Sequence, residues 1–129
     1  MIRALIMVLL VALSRNAAAE WIKLGDSTNK TFYADPESIR KVGDMVKMWD
    51  LLDYQSVPIN YQGKSILSAK SQNEYNCKDG ESRMLYYSFH SANMGGGVTI
   101  VSYSHPNEWE PVAPGSLIMT LWKFACRQQ

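Results

Sequence analysis

Two cysteines that follow a leader-like N-terminus constrain this chain of 129 residues more than any other feature. The opening stretch, MIRALIMVLLVALSRNAAA, has a basic residue at Arg3, an apolar run from Ala4 to Leu13, and small residues at Ala17 and Ala19. Basic, apolar and then A-x-A is the order a signal peptidase reads, so residues 1–19 are expected to be a cleaved secretory signal, cut before Glu20. The apolar run is short against the roughly 20 residues that a bilayer span needs, so no retained membrane anchor is expected. No cysteine stands at the cut, which closes the lipid-anchored bacterial route. The expected address is the periplasm or the extracellular space, with surface display left open.

Only Cys77 and Cys126 are then available, in a compartment where thiols oxidise, and pairing them is the simplest reading. Such a bond closes a loop of about 50 residues and is worth on the order of 4 kcal/mol through the entropy of the unfolded chain. A catalytic thiol needs an activating neighbour, and neither His90 nor His105 has a spacing that ties it to Cys77. A metal-bound or reactive thiol stays the lesser alternative.

Residues 20–129 suit one domain that can bury a modest core. Without Arg3 and Arg15, 11 basic side chains face 12 acidic ones, and no basic patch stands out, so no nucleic-acid partner is expected. There is no internal repeat and no low-complexity linker.

Hydrophobic patterning predicts a mainly β protein. WIKL (21–24) and TFYA (31–34) are short strand candidates around a polar turn, GDSTNK. DPESI (35–39) reads as a tight turn or one helical turn. MVKMWDLLDYQS (45–56) is a long strand with apolar residues on both faces, ended by VPINYQGK, where Pro58 and Gly63 mark a loop. In SILSAKSQNEYNC (65–77), Leu67, Ala69, Tyr75 and Cys77 share one parity while Lys70, Gln72, Glu74 and Asn76 share the other, which places Cys77 inward. Asp79-Gly80 is a hairpin signal. SRMLYYSFHS runs back, ANMGGG turns, and VTIVSYSH (98–105) follows, so an antiparallel meander is expected.

The C-terminal stretch PGSLIMTLWKFACRQQ changes period. Pro114 and Gly115 break the chain, Ser116 suits a helix N-cap, and Ser116, Thr120, Lys123 and Arg127 form one narrow polar stripe. The rest from Leu117 to Cys126 is apolar, so a helix there has to be covered by the sheet. Ile118, Trp122 and Cys126 share a helix face, and a bond to Cys77 would pin that face to the strand. The competing reading is a final strand. The fold class expected is α+β, mainly β: one antiparallel meander sheet with a C-terminal helix on one face, tethered by a disulfide.

No catalytic constellation is visible, and no enzyme activity, cofactor or metal is expected. His90 and His105 lack the three or four ligands of a tight metal site. Ser116 in PGSL is not the G-x-S-x-G nucleophile elbow. MGGG lacks the Lys and Ser/Thr of a phosphate loop, and Asn29-Lys30-Thr31 matches a glycosylation sequon that a bacterial origin would make incidental. Asp35 and Glu37 read as turn carboxylates, and Met45, Met48, Met84, Met94 and Met119 as core filler.

With these residues placed, the chain resembles the bacterial surface-adhesin protein E-like domain. The likeness rests on Trp21 near the mature N-terminus, YADPESI with Tyr33, Asp35 and Ser38, MWDLLDY with Trp49 and Asp53, and SAKSQNEYNC with Ser68, Tyr75 and Cys77. Arg83, EWEPVAPGS with Trp109, Pro114 and Ser116, and the closing Cys126 complete the ordered set. The resemblance implies an antiparallel sheet with a disulfide-tethered C-terminal helix, often dimeric, in which these positions act as scaffold. It also implies adhesion to host extracellular-matrix or serum proteins such as laminin, vitronectin or plasminogen. Three functions follow as expectations. The first is a non-catalytic protein-binding domain with contacts near Tyr61, Tyr103, Asn93 and Asn107. The second is an envelope module or homodimer that uses the second face of the Met45–Ser56 strand. The third is a small enzyme with a cleft around His90 or His105.

Overall fold

A computed structural model describes residues 20–55 and 59–127, so the expected signal (1–19) lies outside the described residues. Among the described residues, seven strands form one antiparallel sheet. Six of them, β1 (Ile22–Ser27), β2 (Lys30–Val42), β3 (Met45–Tyr54), β6 (Ser68–Asn76), β7 (Glu81–His90) and β8 (Thr99–Ser104), lie in that spatial order. The short β9 (Glu110–Pro111) pairs with the start of β7, beyond the end of β8. A separate hairpin of β4 (Ile59–Tyr61) and β5 (Lys64–Ile66) occupies what reads as a loop in VPINYQGK. Three residues per strand give too little pattern to register as β.

Helix α1 (Leu117–Arg127) forms where the period changes. Ser116 caps it, its hydroxyl accepting a hydrogen bond from the Met119 N–H at 3.1 Å and donating to the Ala113 carbonyl at 2.6 Å. Thr120, Lys123 and Arg127 are exposed, while Leu121 and Ala125 are buried against Ala34, Val46, Met48 and Tyr75. Cys126 is bonded to Cys77 with the Cα atoms 5.7 Å apart, and the Trp122 indole N–H donates to the Asn76 carbonyl at 3.0 Å. Three interactions of different kinds therefore hold one helix face: apolar burial, a covalent link and a partly buried indole bond.

Two local expectations need correction. DPESI is neither a tight turn nor a helical turn; it is an irregularity inside β2, where pairing with β3 slips between Asp35 and Arg40. The Asp35 carboxylate accepts the Glu37 N–H at 3.1 Å, and the Ser38 hydroxyl donates to the Asp35 carbonyl at 2.6 Å while accepting the Trp49 N–H at 2.9 Å. Side chains thus stand in for ladder bonds that Pro36 cannot make, and the strand continues through the kink. Cys77 lies one residue beyond β6, in the Cys77–Gly80 turn, half-buried and packed with the helix residues. Gly80, at φ +66°, supplies the left-handed conformation that this turn requires.

The polar parity of β6 is also less wet than alternation implies. Glu74 and Asn76 are buried: Glu74 receives both the Nε and an Nη of Arg83, and the Asn76 side-chain oxygen accepts the N–H groups of Lys78 and Asp79. On that same face Leu51 is fully buried. The face away from α1 is therefore folded over with polar structure of its own.

Candidate functional site

The face away from α1 carries a cleft of about 400 Å³. Its aromatic walls are Trp21, Trp49 and Tyr86, with the Trp49 and Tyr86 rings edge to face at 5.2 Å. Its polar lining comes from Asp35, Lys70, Ser88, His90 and Thr99. Register explains the convergence: Lys70 pairs with Ser88 and Gln72 with Tyr86, while Asp35 pairs with Trp49 and His90 with Thr99. Side chains from the N-terminus and five strands meet there because each sits on the same parity of its strand.

His90 is buried, with Nε2 2.7 Å from the Ser88 hydroxyl and Nδ1 3.5 Å from that of Thr99. Burial, and then the nearby Lys70 charge, hold its imidazole below the ordinary value, so it is neutral at pH 7. The serine–histidine contact has the length of a nucleophile–base pair, but Ser88 is 2% exposed and cannot present its oxygen to a substrate. A polar cleft around His90 does exist, as an enzyme reading requires. His105 lies elsewhere, exposed beside Tyr103.

Lys70 is held by the turn after β7. The Asp53 carboxylate accepts the Met94 N–H at 2.8 Å and the Asn93 side-chain amide at 3.0 Å, and Ser68 bonds the Gly95 N–H and the Ala92 carbonyl. The turn so fixed lies against the Lys70 stem: a Cβ on Gly95, whose φ is +73°, would meet Lys70 Cε at 2.3 Å. MGGG is thus a close-approach turn, with Asn93 tied inward by its amide.

A second surface lies on the α1 side of the sheet, past the helix. Tyr61 packs edge to face on Phe89 at 5.6 Å, Phe89 contacts Tyr87 at 5.1 Å, Tyr87 stacks on Tyr103 at 5.6 Å, and His105 follows at 6.1 Å. This aromatic row reaches β8, a sheet edge, where Tyr103 is 49% exposed. Tyr61 and Tyr103 belong to one surface, whereas Asn107, whose N–H donates to the Met84 carbonyl at 2.9 Å, sits in the connection from β8 to β9.

The other motif residues distribute between these places. Tyr75 is in the core, Tyr33 is half-buried opposite Leu51, Arg83 lies 4.7 Å from the Trp109 ring, and Pro114 precedes the capping Ser116. Trp21, Asp35 and Trp49 line the cleft, which spacing along the chain gives no means of seeing. Beneath α1, Asp50 is buried with the Asn73 amide donating to it at 2.7 Å, and burial pushes its carboxyl up to about 7. The Tyr75 hydroxyl nearby is buried with no hydrogen-bond partner among the described residues. Among the described residues no cluster of three or more His, Cys, Asp or Glu could hold a metal ion, and no helix is long and apolar enough to cross a membrane.

A family model described as surface-adhesin protein E matches residues 21–127. The chain is similar in fold to the structure of Haemophilus influenzae protein E, with a TM-score of 0.66 at 15% identity over 87% of each chain. A second crystal form of that protein gives 0.68 at 15% identity, over 87% of this chain and 91% of the other. Protein E from non-typeable H. influenzae gives 0.62 at 14%, over 88% and 79%. At these identities the likeness concerns the fold. No curated protein sequence matches the chain significantly.

Proposed function

We propose, from the premise that this chain belongs to the surface-adhesin protein E family, that it is an exported, non-catalytic adhesin-like domain whose partner is an extracellular-matrix or serum protein. The observation that carries this reading is the aromatic row from Tyr61 to His105, left uncovered by α1 and running to the open edge strand β8. Exposed tyrosines supply large contact area at low entropic cost, and an edge strand offers backbone groups to a second chain. Residues 1–19 serve as the signal that takes the domain out of the cytoplasm and are then removed, leaving 20–129 as the working unit. The motif residues Tyr33, Ser38, Ser68, Tyr75, Arg83, Trp109, Pro114 and Ser116 act as scaffold, because the contacts they make are internal.

Surface plasmon resonance of residues 20–129 over immobilised laminin and vitronectin tests the proposal. Saturable binding at micromolar concentration is expected. Flat curves beside a dimeric mass in solution would replace it with an envelope homodimer.

A further inference from the structure

We infer that the cleft between Trp49 and Lys70 binds an acidic saccharide unit, of sialic or uronic type. The cleft lies on the sheet face opposite the aromatic row, so this inference does not rest on a matrix-protein partner.

Four observations converge. A cleft of about 400 Å³ is within the range that holds small-molecule ligands. Its walls present the rings of Trp21, Trp49 and Tyr86, and an aromatic face accepts the C–H face of a sugar ring. Between them stand hydrogen-bonding groups of both polarities: Asp35 accepts, Lys70 donates, and the Thr99 hydroxyl does either, which matches a ring of hydroxyls better than an aliphatic ligand. The floor strands β3, β6 and β7 have their main-chain groups committed to ladders on both sides, so an extended peptide finds no edge to join there.

Charge selects the acidic unit. Asp35 is 8% exposed and its carboxylate already accepts the Glu37 N–H, so it meets a ligand only as a spare acceptor. Lys70 is half-buried, and no described residue forms an ion pair or hydrogen bond with its ammonium. Its stem is positioned by the Gly95 turn, so the charge is preorganised rather than recruited. A carboxylate on the ligand would complete a charge-assisted bond there, while His90, neutral and bonded to Ser88, adds no competing charge.

Titration of residues 20–129 with free N-acetylneuraminic acid, glucuronic acid and glucose tests this, read by tryptophan fluorescence and by ligand-observed saturation-transfer NMR. At least one acid is expected to bind saturably, about tenfold tighter than glucose, and which one tells a sialylated source from a uronate-containing one. Lys70→Gln should abolish the preference and Lys70→Arg should keep it. Gly95→Ala should weaken acid binding through the displaced lysine, with the circular dichroism spectrum unchanged. No saturable binding of either acid, equal affinity for glucose, or acid binding indifferent to Lys70→Gln would each overturn the inference.

Discussion

The two faces of one sheet are built differently. Beneath α1, residues 34, 46, 48 and 75 are sealed by Leu121, Ala125, the Trp122 indole bond and the Cys77–Cys126 link. On the opposite face, these strands together with β7 present Asp35, Trp49, Lys70, Ser88 and His90 to a cleft roofed only in part. Alternation along a strand lets one backbone serve both faces, with the sealed core on one parity and the cleft on the other. The helix side divides again: where α1 ends, the aromatic row starts.

Substitutions that separate stability from recognition sharpen this contrast. The largest effect is expected from Cys77→Ala with Cys126→Ala. Losing a link across 49 residues should cost about 4 kcal/mol in urea unfolding and undock α1. A loss under about 1 kcal/mol would mean that packing alone holds the helix.

Asp50 comes next, because it is a polar flaw on the sealed face. Its folded value near 7 lies above the ordinary 3.8, so the native state keeps a proton that the unfolded chain releases. Stability should therefore fall as pH rises from about 4 to about 7 and level off above. Asp50→Asn should flatten that profile and stabilise the domain at pH 8 on the order of 2 kcal/mol, as read by thermal unfolding at several pH values. A profile unchanged by the substitution would place the titrating group elsewhere.

The smallest effect is expected from Tyr75→Phe, which deletes a buried hydroxyl that has no partner among the described residues. The outcome should range from neutral to a gain of about 1 kcal/mol in unfolding free energy. A clear loss would reveal a bonded hydroxyl and make the sealed face more polar than its packing indicates.

Much of the sealed face was legible in the sequence, because its signals are local. Ser116 with the polar stripe through Thr120, Lys123 and Arg127 belongs to α1 and its cap, and the inward parity of Tyr75 lies within β6. The cleft was not legible, because its eight lining residues are spread from position 21 to position 99 and meet only through strand register. Asp35 and Ser38 illustrate the limit: Asp-Pro is a strong turn signal, yet side-chain bonds to the backbone carry β2 through it. His90 likewise has no sequence neighbour that signals Thr99, which faces it across the sheet.

The proposed role of the aromatic row is tested most directly by Tyr103→Ser, measured for both stability and vitronectin binding. Tyr103 is 49% exposed on an edge strand, so the unfolding free energy should stay within about 0.5 kcal/mol while affinity falls at least about tenfold. Unchanged affinity, or a stability loss as large as that of the disulfide variant, would show that the aromatic row is not the recognition surface.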